Sequence, residues 1–101
     1  MANLILISWR DIPAQVIVKR GREIAKVQLS ARFQEAVDRA AMRAGKGTSD
    51  AYLADWKRSD PRPVGEDLQA EAAAEAARIE ASFTDEALEA LIRAKGLAAG
   101  S

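Results

Sequence analysis

The stretch ISWRDIPAQVIV (residues 7–18) decides how the chain is organised. It runs from an apolar segment into an aromatic residue, a charge pair and a proline, and a second apolar segment follows. Pro13 lacks the N–H that a central strand would donate, and it favours extended backbone in the residue before it. We therefore expect two strands joined by a corner that contains Trp9, Arg10 and Asp11.

Three strands are expected around this corner. The first is the aliphatic run at residues 4–7, whose two apolar faces are typical of an inner strand covered by helices. The second covers residues 15–19, and Gly21 suits the turn after it because glycine adopts positive φ without strain. The third covers residues 23–29, where apolar and polar side chains alternate. The second and third strands should form an antiparallel hairpin.

Helical patterns occupy much of the remaining sequence. Apolar residues recur at three- and four-residue spacing over residues 33–44, with Ser30 suited to the N-cap and Gly45 to the C-terminal end. Alanine and glutamate dominate residues 66–83, and both have high helix propensity. Thr84 then suits the N-cap of a last, shorter helix.

The region between these helices is less regular. A further helix is expected to carry Tyr52 and Trp56 on one face, because they are four positions apart. Two prolines in residues 59–63 predict a stiff extended link after it. The predicted fold class is α+β: a small three-stranded antiparallel sheet packed by helices (residues 1–60), with a helical C-terminal extension (residues 61–101) that packs on this domain or on a partner.

The composition excludes several classes of site. The chain has no cysteine and no histidine, which excludes a disulfide, a thiolate nucleophile, a histidine general base and the usual zinc and haem ligands. No catalytic residue, metal or cofactor is predicted. No apolar run approaches the roughly 20 residues that cross a bilayer, and no signal peptide is recognisable. We therefore expect a cytoplasmic protein that makes no membrane contact.

Charge is distributed unevenly, although the formal net charge is zero. Residues 1–47 hold nine basic and four acidic residues, whereas residues 48–101 hold six basic and eleven acidic residues. The two halves can attract each other within one fold or between copies, or the basic half can present a face to an anionic partner. A nucleic-acid partner is not expected, since the pI is near 6.3 and aromatic residues do not interleave with the basic ones.

Three clusters are candidates for binding. At the corner, an arginine beside a tryptophan is typical of binding hot spots, but burial of the aromatic ring accounts for the same pattern. At the hairpin tip (residues 19–22), basic side chains can bind an anion or can protect a strand edge from aggregation. The two aromatic residues of the middle region can pack in the core or contact a partner. The candidate residues are Trp9, Arg10, Asp11, Lys19, Arg20, Arg22, Tyr52 and Trp56.

The string WRDIPAQV at residues 9–16 resembles a bacterial family described as "virulence factor". The resemblance continues through FQEAVDRAA (residues 33–41) and SDAYL (residues 49–53) to Trp56. Larger members, the conserved virulence factor C proteins, join a similar segment to helical repeats and to a domain like the N-terminal part of iron–sulfur scaffolds, whose cysteines this chain lacks. Stand-alone members occur near genes for folate-linked and corrinoid methyl transfer. The resemblance implies no particular activity and no catalytic residue.

Without a catalytic set, the chain is expected to be a non-enzymatic accessory protein. It would bind a larger enzyme complex or a second copy of itself, and the resemblance implies a one-carbon (folate or corrinoid methyl-transfer) system as the partner. The alternative is a small-molecule binding protein or enzyme that holds an anionic cofactor or a nucleotide-like ligand on Arg10, Lys19 and Arg22.

Overall fold

The computed structural model describes residues 2–45 and 53–97. Within these ranges the chain forms an antiparallel sheet of five strands and three helices, so the predicted α+β class is confirmed. The strands are β1 (Ala2–Trp9), β2 (Ile12–Arg20), β3 (Glu23–Gln28), β4 (Trp56–Arg58) and β5 (Arg62–Val64). The helices are α1 (Ala31–Arg43), α2 (Leu68–Ser82) and α3 (Asp85–Arg93). None of these described helices is long and apolar enough to span a membrane.

Strand β1 lies at the centre of the sheet, as its two apolar faces predict. One edge pairs with β2, and the other edge pairs with β4 through Ile7–Trp9 and with β5 through Ala2–Leu4. The predicted hairpin of β2 and β3 is confirmed, and it turns at Gly21 with a φ of +59°. The order across the sheet is therefore β3, β2, β1, with β4 and β5 one after the other along the outer edge of β1.

The predicted count of three strands is wrong because β4 and β5 were not expected. Each has only three residues, which is too short to show the alternation of apolar and polar side chains that marks a strand. Both strands form by pairing with the outer edge of β1, because this edge would otherwise leave backbone N–H and C=O groups unpaired. Pro63 is tolerated in β5 because this strand lies at the edge of the sheet.

The helix predicted to carry Tyr52 and Trp56 is wrong at Trp56, which begins β4 opposite Trp9. A four-residue spacing suits a helix, but a strand at this position pairs with the backbone at the end of β1 and half-buries Trp56. Tyr52 lies outside the described residues. Ser59, which follows β4, keeps the chain on β1: its N–H donates to the Leu6 carbonyl (2.9 Å), and its Oγ accepts from the Leu6 N–H (2.8 Å).

The three helices share one hydrophobic core with the sheet. Their buried residues form a single core cluster with strand residues that include Leu4, Val16, Val18 and Ala25. Helix α2 lies against β2 and β3, and α1 lies against β2 and α3. This cluster contains residues from both sides of residue 60, and the division of the chain into two domains there stays a prediction.

Candidate functional site

The corner between β1 and β2 is held by two segments that are remote in the sequence. The Arg10 N–H donates to the carbonyl of Asp55 (3.1 Å), just before β4. The Asp11 N–H donates to the carbonyl of Gly96 (2.8 Å), just after α3. Arg10 has a φ of +52°, which bends the chain sharply between the two strands. The β1–β2 turn, the start of β4 and the end of α3 therefore meet at one point.

The side chain of Arg10 connects these three parts. Its Nη1 donates to the carbonyl of Lys95 (2.7 Å), and its Nη2 lies 3.3 Å from Oδ2 of Asp55. The guanidinium carbon lies 5.0 Å from the centre of the fully buried Trp9 ring. Such cation–π contacts contribute roughly 0.5–2 kcal/mol. These contacts, and the exposure of only 16% of its side chain, restrict the orientations that Arg10 can adopt.

Helix α3 ends in a Schellman motif that brings its backbone against Trp9. The Lys95 N–H donates to the carbonyl of Ile92 (3.1 Å). The Gly96 N–H donates to the carbonyl of Leu91 (2.7 Å), which completes the motif. Gly96 has a φ of +87°, and a Cβ added there would lie 2.7 Å from Cζ3 of Trp9. Glycine is required at this position because a side chain would collide with the indole ring.

Backbone strain is concentrated at the corner. Among the described residues, Arg10 (φ +52°) and Lys95 (φ +63°) are the non-glycine residues with positive φ. They are joined by the hydrogen bond from Nη1 of Arg10. A left-handed conformation costs a non-glycine residue about 1–2 kcal/mol. The packing of the corner offsets this cost, and strain of this kind clusters at functional sites.

An open depression of ≈ 400 Å³ lies beside the corner. It is lined by Arg10, Ala54, Asp55, Trp56, Lys57 and Leu97. Leu97 is 50% exposed, and Nζ of Lys57 lies 3.3 Å from Oδ1 of Asp11. Aromatic, arginine and aliphatic side chains in one concave patch are typical of protein-binding hot spots. In residues 2–45 and 53–97, no group of three or more carboxylates could hold a metal ion.

The hairpin tip lies at the opposite end of β2. Nη2 of Arg20 donates to Oε1 of Glu23 (2.9 Å), and this bond and the carboxylate charge raise the pKa of Arg20 above its ordinary value. Lys19 and Arg22 make no ion pair within the described chain. Nine residues of β2 put the tip roughly 30 Å from Arg10. One small ligand therefore cannot contact both ends, and the anionic-ligand alternative stays a prediction.

A third cluster joins α2 to the start of α1 and is structural. The N–H and Oγ of Ser30 donate to the Glu80 carboxylate (2.6 and 3.0 Å), so the predicted Ser30 cap bonds α2 instead of its own helix. Arg32 donates to the same carboxylate (3.2 Å). Partial burial acts to raise the pKa of Glu80, but the bonds from Ser30 and Arg32 outweigh it and the pKa is lowered.

Of the predicted site residues, the structure brings together Trp9, Arg10, Asp11 and Trp56. It places Lys19, Arg20 and Arg22 at the far end of β2, and Tyr52 lies outside the described residues. Sequence reasoning missed the residues that remote segments bring to the corner: Asp55, Lys57, Lys95 and Leu97. A glycine shortly after a helix, here Gly96 three residues beyond the end of α3, is the signal that could have identified this segment as one that packs closely.

A protein-family model described as "Virulence factor" matches residues 7–92. The match begins near the end of β1 and reaches into α3, so it extends well beyond Trp56, where the recognisable motifs of the sequence end. It includes most of the residues of the corner, but not Lys95 to Leu97. No curated protein and no solved structure matches the chain.

Proposed function

The chain belongs to the virulence factor family, and from the corner we propose that it is a non-enzymatic accessory protein that binds a larger protein assembly through this surface. The observation that carries the proposal is the backbone strain at Arg10 and Lys95. Both residues hold costly conformations beside the same depression, and strain retained at one place is expected where geometry serves binding.

The side chains around the depression suit a protein partner. Trp9 is fully buried and supports the surface from beneath, so a partner would contact Arg10, Trp56 and Leu97. Arg10 is held in place by Lys95 and Trp9, so it loses little side-chain entropy on binding. An arginine and a tryptophan in a concave site are the residue types that dominate interface energies.

The family resemblance, rather than the geometry of the corner, suggests the class of partner. It favours a cytoplasmic enzyme of folate-linked or corrinoid methyl transfer. In such a complex the chain would contribute a binding surface and no catalytic group, since the described residues that line the depression include no nucleophile paired with a base.

The proposal is tested by affinity capture of the tagged chain from its source cells, followed by mass spectrometry. The informative variants are Arg10→Ala, which removes the fixed guanidinium, and Leu97→Asp, which places a charge on a half-exposed residue of the depression. Met42→Asp is the matched control, because Met42 is 72% exposed on α1.

We expect one enzyme complex to co-purify with the unmodified chain and with Met42→Asp, and to be lost with the two corner variants. Leu97→Asp guards against misfolding, since an exposed residue contributes little to stability. Capture of the same proteins by all four forms, with folding verified by circular dichroism, would exclude the corner as the binding surface.

A further inference from the structure

The two edges of the sheet differ in how well their backbone is protected. One edge consists of β4 and β5, which have three residues each, and β5 contains Pro63. The other edge is β3, an unbroken strand of six residues that pairs with β2 alone among the described strands. Short strands and proline protect an edge against pairing with another chain. β3 has neither feature, so its outer side can accept a further strand.

The register identifies the backbone groups that β3 directs outward. The N–H of Leu29, the residue after β3, donates to the carbonyl of Ala14 (3.0 Å). In an antiparallel pair, residues that bond the partner strand alternate with residues whose N–H and C=O point away from it. The odd-numbered residues of β3 therefore bond β2, whereas Ile24, Lys26 and Gln28 direct their groups outward. Within residues 2–45 and 53–97, no other segment bonds these groups.

The side chains of the same three residues lie beside two positive charges. Ala25 belongs to the core cluster, so by alternation Ile24, Lys26 and Gln28 lie on the other face of β3. All three are exposed, and Lys19 lies opposite Ile24 on β2. Neither lysine forms an ion pair with the described part of the chain. The outer edge of β3 therefore attracts carboxylates on this face.

A depression of ≈ 510 Å³ borders the other face of the same edge. It lies between the start of β3 and residues 66–69, where α2 begins. Its lining includes the apolar side chains of Ala25 and Leu68 and the carboxylates of Glu66 and Asp67. Because side chains alternate, an added strand would direct the residue opposite Ala25 towards this depression. An uncharged side chain suits the position, since a carboxylate there would meet like charge.

We propose that β3 pairs antiparallel with an extended acidic segment of a partner protein, which adds a strand to the sheet. Backbone hydrogen bonds to Ile24, Lys26 and Gln28 would supply affinity, and alternate side chains would supply specificity. The segment carries carboxylates on the Lys26 face. It carries threonine or valine on the Leu68 face, because both favour strands. This surface is separate from the depression beside Arg10, which β4 lines at the opposite edge of the sheet.

A second copy of the chain fits this edge less well than an acidic segment. Full overlap of two antiparallel β3 strands would place Ile24 opposite Gln28, and Lys26 opposite Lys26. Like charges directly opposite each other destabilise a strand pair. A shift of the register by two residues removes this contact, but one outward-facing residue of each copy then lies beyond the partner's strand. Charge therefore favours a partner with carboxylates at these positions.

Amide hydrogen exchange of the full chain, followed by NMR, tests whether the edge is open. We expect the amides of Lys26 and Gln28 to exchange much faster than those of Ala25 and Val27, which bond β2. The probe is a peptide of about eight residues in which glutamate alternates with threonine or valine, long enough to cover β3. Its binding should slow exchange at Lys26 and Gln28 and should weaken as salt rises. Equal protection of all four amides in the free chain would overturn the proposal.

Two N-methylated forms of the peptide distinguish strand pairing from general charge attraction. In antiparallel pairing, the glutamates on the Lys26 face are the residues whose N–H groups point to β3. N-methylation of the glutamates removes these donors and should abolish binding. N-methylation of the alternate residues leaves the donors intact, so this form is the matched control and should still bind. Equal binding of the two methylated forms would contradict pairing through the backbone of β3.

A charge exchange tests the role of Lys26. Lys26→Glu should weaken binding of the glutamate peptide about tenfold, and it should bind a peptide with lysine in place of glutamate. The matched control is Arg43→Glu, which makes the same change of charge at an exposed position of α1. An equal loss in both variants, or no binding of the lysine peptide to Lys26→Glu, would overturn the proposal. Self-association of the unmodified chain through β3, measured by sedimentation and exchange, would also overturn it.

Discussion

Strand β2 has a turn at each end, and the two turns are held in different ways. Before β2, Arg10 bonds the main chain beyond α3 and keeps 16% of its side chain exposed. After β2, Arg20 bonds its neighbour Glu23 and keeps 37% exposed. A turn joined to remote segments can retain non-glycine residues at positive φ, because packing offsets the strain. The exposed hairpin tip has no such packing, and it uses Gly21 instead.

The largest expected difference between the two ends is in side-chain packing. Trp9→Ala removes a fully buried indole from the point where three segments meet, and it should lower the free energy of unfolding by about 3–5 kcal/mol. The control near the tip is Ile24→Ala, where a 52% exposed side chain should cost less than about 1 kcal/mol. Urea unfolding curves measure both, and similar losses would show that the corner is no better packed than the tip.

Two glycines isolate the effect of close backbone approach. Gly96 and Gly21 both have positive φ, so alanine at either position costs about 1–2 kcal/mol in backbone strain. Only at Gly96 does the new Cβ meet another group, the Trp9 ring at 2.7 Å, which should add about 1–3 kcal/mol of overpacking. At Gly21 nothing lies within 4 Å. Equal destabilisation by Gly96→Ala and Gly21→Ala in urea would contradict the described contact.

The same contrast between remote and local bonds applies to carboxylates. Glu80→Gln weakens the bonds from Ser30 and Arg32 that join α2 to α1, and it should cost about 1–2 kcal/mol at pH 7. Glu23→Gln weakens an exposed pair within the hairpin, and we expect no measurable change.

The destabilisation caused by Glu80→Gln should also depend on pH. The pKa of Glu80 is lowered in the folded chain, so its contribution is fully present above the unfolded value of about 4.3. The contribution is lost as the pH falls through the lower folded value. The stability difference between the unmodified chain and Glu80→Gln should therefore shrink below about pH 4. A difference that stays constant down to pH 2.5 would show that the folded pKa is not lowered.

The sequence predicts the strands and helices whose apolar residues recur at a regular spacing. The alternation in residues 23–29, the glycine at position 21 and the helical spacing of residues 33–44 each indicate their structure locally, and the hairpin and α1 are found where expected. The Trp9-Arg10-Asp11 corner was also singled out from its residue types alone. These features depend on neighbours in the chain, so short-range patterns are sufficient to predict them.

The features that were missed depend on remote partners. β4 and β5 are strands because β1 offers an open edge, and three residues carry too little pattern to reveal this. The positive φ of Lys95 has no sequence signal, since lysine does not favour that conformation. The assembly of the depression beside Arg10 likewise requires the ends of α3 and β4 to meet, which only tertiary packing decides.

The smallest predicted change in the free energy of unfolding has opposite signs at the corner before β2 and at the hairpin tip after it. Lys95→Gly relieves a positive φ on an exposed residue whose carbonyl remains available to Arg10, and it should raise the free energy of unfolding by about 0.5 kcal/mol. Arg22→Gly at the tip relieves no backbone strain, because Arg22 has no positive φ. The glycine instead adds conformational entropy to the unfolded chain, which should lower the free energy of unfolding by about 0.5 kcal/mol. Chemical denaturation of both variants in parallel resolves the sign. If Lys95→Gly is stabilising and also weakens capture of the partner, then the strain at the corner is kept for binding rather than for folding.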